Sequence, residues 1–132
     1  MTAGAMLGLL LSLDAAAASA AQGGNRYASD PMSAPRVREA VAAWRGCVTH
    51  GTRQLENPGE PATAIAEAAM ARCADAETNL EDRIVETMSG ARSVRDARAF
   101  AHEMLDDYRV EMRSIAVRTI AESRQGRRGG RR

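Results

Sequence analysis

Two cysteines, Cys47 and Cys73, stand on either side of the turn string Asn57-Pro58-Gly59, and this placement limits the fold more than any other feature of the chain. Such a string stops a helix and reverses the chain. On both sides of it, apolar residues recur at helical spacing. Before the turn, Val37, Val41, Trp44, Cys47 and Val48 share one face of a helix that starts near Pro35, a favoured first-turn residue. After it, Ile65, Ala69, Cys73, Ala76, Leu80, Ile84 and Met88 form a second stripe. That helix begins about Pro61 and ends at Ser89-Gly90, where Gly90 is placed to cap it.

Cys47 lies about ten residues before Pro58 and Cys73 about fifteen after it, so at roughly 1.5 Å per residue both reach similar heights in an antiparallel hairpin. Both also fall on the stripes that face each other, which is where a bridge has to form. Continuing the register away from the turn sets Trp44 near Ala76, Val41 near Leu80 and Val37 near Ile84. A third helix opens at Ser93, with Asp96 completing a partial capping box, and carries Ala97, Phe100, Met104, Tyr108, Met112 and Ile115 inward. It fades by Ser123.

The expected fold class is therefore all-α. A small three-helix domain spans residues 35–123, with helices one and two an antiparallel hairpin tied by one disulfide between Cys47 and Cys73. The only aromatics are Tyr27, Trp44, Phe100 and Tyr108 while alanine is abundant, which favours close helix packing over strands. A chain of 132 residues has room for one such core. If the row Ile115, Ala116 and Ile120 finds no partner within the monomer, self-association would bury it.

Residues 1–20 read as a signal peptide. Ala3 to Leu13 is apolar, and Ala18-Ser19-Ala20 offers the small residues a signal peptidase requires, placing the cut before Ala21. An apolar core of about eleven residues falls short of the roughly 20 that span a bilayer, so no transmembrane span is expected after cleavage. Residues 21–34, punctuated by Gly23-Gly24 and Asp30-Pro31, read as a flexible leader. The expected location is the periplasm of a bacterium or its surroundings, where two facing cysteines oxidise.

All the basic residues are arginine, and a chain without lysine can build neither a Walker-type phosphate loop nor a Schiff base. The strings that mark hydrolases, zinc proteases, dinucleotide sites and haem attachment are absent too. The acid pairs Glu81-Asp82 and Asp106-Asp107 sit on helices, where neighbours point about 100° apart and do not face each other. The chain is expected not to be an enzyme and to need no cofactor.

Cys47 and His50, three apart on one helix, could join Cys73 and His102 as a metal set. Oxidation would consume both thiolates, so the expectation is no metal. Residues 124–132 carry Arg124, Arg127, Arg128, Arg131 and Arg132 with no acid, and read as a basic disordered tail able to meet an anionic envelope surface. With no interleaved aromatic, base stacking is not on offer, and no specific nucleic acid is expected. The function expected is that of an exported, non-enzymatic interaction or structural protein, whose partner is another protein or a second copy. The alternatives are metal binding through Cys47, His50 and Cys73, and anionic-surface binding through the tail.

Overall fold

A computed structural model describes residues 30–129 of the chain. The expected signal segment 1–20, the leader as far as residue 29, and Arg131 and Arg132 lie outside the described residues. Within them the protein is all-helical, with four α-helices and no strand: α1 (Pro35–Leu55), α2 (Ala62–Arg72), α3 (Ala74–Met88) and α4 (Val94–Gly129). None of these helices is long and apolar enough to cross a membrane.

The helices stand in three columns, each packed on the other two. α1 runs up, α2 and α3 together run down, and α4 runs up again. The hairpin register is visible in three places along α1. Gly51 faces Ala69, Cys47 faces Cys73 one turn further on, and Arg36 pairs with Glu86 at the far end, 3.2 Å apart. Column one buries Val37, Ala40, Trp44, Val48, Gly51 and Thr52. Thr52, the one polar residue in this row, donates its hydroxyl to the Val48 carbonyl at 2.7 Å, so burial leaves it satisfied.

Four helices replace the three expected because the second column breaks at Cys73. There the amide of Cys73 bonds the Met70 carbonyl, three residues back, while the Cys73 carbonyl accepts from Ala76 and Glu77 to start α3. At about 100° per residue, one straight helix would carry its apolar row roughly 140° round between Ile65 and Met88. Dividing the helix lets Ile65, Ala66 and Ala69 face the core from one half and Leu80, Ile84 and Met88 from the other. Asp75 and Glu77 in the first turn of α3 suit its positive end.

The end of the expected leader, residues 31–34, also differs from expectation. Pro31–Ser33 forms a turn of 3-10 helix whose Pro31 is buried, and Ala34 is 4% exposed. This segment packs on both α1 and α3. Two apolar residues find cover there, which is reason enough for order.

At the third column, Ser93 caps α4 as anticipated. Its hydroxyl donates to Asp96 at 2.7 Å and accepts from the Asp96 amide at 3.1 Å. Gly90 just after α3 has φ 89°, the left-handed conformation that a chain reversal needs. The buried row of α4 is Ala97, Ala101, Leu105, Met112, Ala116 and Ile120. Phe100, Met104, Tyr108 and Ile115, expected to point inward, are half-buried flanks. Alanine lies at the line of closest approach, and the bulkier side chains close over its edges. Ala116 and Ile120 are covered within the monomer, while Ile115 beside them stays half-buried.

The flanks of α4 carry opposite charges. On the side of α2 and α3, Arg113 meets Glu67 at 2.6 Å, Arg109 meets Glu77 at 2.7 Å, and His102 lies 3.6 Å from Glu81. On the side of α1 the sign reverses, with Glu111 accepting from Arg45 at 2.5 Å.

Candidate functional site

The residues singled out from the sequence fall into two places. The first is the middle of the hairpin. α1 presents Cys47 half-buried, and the break between α2 and α3 holds Cys73 at 2% exposure. Their Cα atoms are 6.0 Å apart and their sulphurs lie at disulfide distance, a backbone separation that suits a bridge. No free cysteine remains. The two histidines do not join them. His50 is exposed on α1 and His102 is exposed on α4 beside Glu81. Among the described residues, no group of three or more histidine, cysteine or acidic side chains could hold a metal ion.

The second place is the end of α4. Residues 124–129, expected to be disordered, continue the helix. The reason is Glu56, directly after α1. Its side chain is 6% exposed. Ser123 donates its hydroxyl to the Glu56 carboxylate, and Arg127 pairs with it. Arg124 lies 3.8 Å from the same carboxylate through Nε. It also spans the turn, donating from Nη2 to the Asn57 carbonyl at 3.1 Å and the Glu60 carbonyl at 2.7 Å. The turn itself is locked by Asn57, whose Oδ1 accepts from the Gly59 amide at 3.2 Å. Arg128 stands exposed beside this cluster.

Glu56 was not legible as the anchor of this cluster. Its partners lie 67 to 71 residues away, and only the matching heights of α1 and α4 bring them together. The one available hint is the spacing of Ser123, Arg124 and Arg127, which puts three donors on one side of a helix.

Elsewhere the surface offers shallow hollows. One, of about 420 Å³, runs between α1 and α3 and is lined by Arg36, Glu39, Ala40, Ala43, Asn79 and Arg83. Glu86 neutralises both of its arginines, bonding Arg36 at 3.2 Å and Arg83 at 2.9 Å. Another, on the outer face of α4, is lined by Arg113, Ser114, Val117, Arg118 and Ala121. Two groups feel their surroundings. Burial pushes the Tyr108 phenol above its ordinary value, Glu111 adding to the effect and Arg45 opposing it. The Arg109 guanidinium is held above its usual range chiefly by its hydrogen bond to Glu77.

Comparison with protein-family models, with curated proteins and with solved structures finds no match for this chain.

Proposed function

We propose that this chain is a non-enzymatic helical protein of an oxidising compartment outside the bacterial cytosol, exported behind its signal peptide, and that it acts by presenting a charged helical surface to another protein. The observation that carries this reading is the meeting of Cys47 and Cys73 on the facing sides of α1 and the second column, 6.0 Å apart at Cα. Paired thiols give a small core a tie that only an oxidising compartment maintains. The same pairing counts against metal binding through Cys47, His50 and Cys73, since a bridged sulphur is no thiolate ligand. The surface adds support for the non-enzymatic part: the hollows between the helices are open and shallow.

The test is a thiol count on exported protein, unfolded under alkylating conditions, together with its intact mass. The reading expects no titratable thiol and an N-terminus at Ala21 or a close neighbour. Two free thiols in carefully isolated material would remove both the tie and the compartment.

A further inference from the structure

We propose that Glu56 is a latch that holds the basic end of α4 shut, and that opening it exposes an arginine cluster fitted to an anionic phospholipid surface. Arg124 and Arg127 carry two of the three positive charges in the last two described turns of α4. In the closed state both are occupied by Glu56 and the turn carbonyls. Arg128 is exposed and, among the described residues, has no such tie. Released, the three would stand on one short segment with no acid among them, since Glu122 is the last acid of the chain.

The latch is built to open at modest cost. Arg124 Nε is buried and has no hydrogen-bond partner among the described residues in the closed state, so opening restores its hydration. Arg127 is already 48% exposed, so water screens its pairing with Glu56. Gly126, with nothing within 4 Å of its missing side chain, and Gly129 weaken the helix where it must fray. Against these stands the carboxylate of Glu56, 6% exposed, whose ties to Ser123 and Arg127 close the arm. Phospholipid headgroups offer the same acceptor chemistry at far higher local density. Each arginine brought to such a surface raises partitioning about fivefold, so freeing two raises it by up to about twenty-five fold.

The experiment measures retention of the full exported chain on vesicles of phosphatidylcholine containing phosphatidylglycerol, at low and at high salt. Glu56→Gln is compared with Glu60→Gln, which removes the same charge from the same turn while leaving the latch intact. Glu56→Gln should bind several-fold more than both wild type and Glu60→Gln at low salt, and lose the gain at high salt. Adding Arg124→Gln and Arg127→Gln to the Glu56 variant should cancel it. Vesicles of phosphatidylcholine alone, and competition by inorganic phosphate, separate a lipid surface from a free anion; displacement by millimolar-scale phosphate would overturn the assignment to lipid. Equal retention of the Glu56 and Glu60 variants would overturn the latch. Should Glu56→Gln fail to fold, Ser123→Ala weakens the latch without changing charge, and retention no greater than wild type would overturn it.

Discussion

Gly51 of α1 faces Ala69 of α2 so closely that a methyl built on the glycine would lie 3.7 Å from the Ala69 methyl. That is ordinary van der Waals contact. The two helices therefore meet one turn below the paired cysteines without needing the glycine to be bare, and Gly46, further up α1, has nothing within 4 Å of the same position.

Replacing either glycine by alanine should stabilise the protein by about 0.5 to 1 kcal/mol, because a helix interior favours alanine over glycine by that much. For a domain of this size that is a rise in Tm of a few degrees, read by circular dichroism on heating. Gly51→Leu should reverse the sign and cost about 1 to 3 kcal/mol, since the larger side chain has only Ala69 to move against. A Gly51→Ala protein that melts lower than wild type would mean that α1 and α2 approach more closely than described.

Reducing Cys47 and Cys73 should destabilise the fold by about 3.5 kcal/mol on the chain-entropy account, given the 26-residue separation of the pair. Urea titrations with and without a dithiol reductant give the comparison. An unchanged midpoint would show that the core alone sets the register of α1 against α2 and α3.

Trp44 is fully buried and its indole N–H has no partner among the described residues. Trp44→Ala should therefore cost about 3 to 5 kcal/mol, whereas Trp44→Phe keeps most of the ring, removes the unpaired donor and should cost less than about 1.5 kcal/mol. If the two variants are equally damaged in chemical denaturation, the indole nitrogen has a partner after all.

The raised phenol of Tyr108 ties stability to alkaline pH. Its folded-state value lies above the ordinary 10.0, so the folded form holds the proton more tightly than the unfolded one. The contribution is whole below the ordinary value and is lost as pH climbs through the raised one. Tm should fall more steeply above about pH 10 in wild type than in Tyr108→Phe, which has no proton to lose. Parallel curves would mean that Tyr108 titrates alike in both states.

The parts of this architecture that could be read from the sequence are those governed by short-range rules. Ser93 with Asp96, Gly90 after α3 and the Asn57 turn each follow from residues within a few positions of one another, and each stands where it was expected. The approach of Cys47 to Cys73 was legible because helical phase and distance from the turn agreed. The break at Cys73 was not, for Arg72-Cys73-Ala74 contains no glycine, proline or capping side chain, and the interruption answers to how two columns share a core. On α4, Ala97 and Met112 face the core as expected, but between and beyond them the buried positions go to side chains that fit the seam and not to the largest ones nearby. Ala101 and Ala116 are buried where Phe100 and Ile115 only flank the seam. The closure of α4 over Glu56 depends on the relative heights of two distant helix ends, which no local pattern encodes.

The opposed flanks of α4 favour one handedness over the other. Three columns that each touch the other two can be wound in either sense, and the apolar rows would be buried in both. In the mirror winding, α1 and the second column would exchange sides about α4. Arg109 and Arg113 would then confront Arg45, and Glu111 would confront Glu67 and Glu77, so that these three attractions became repulsions.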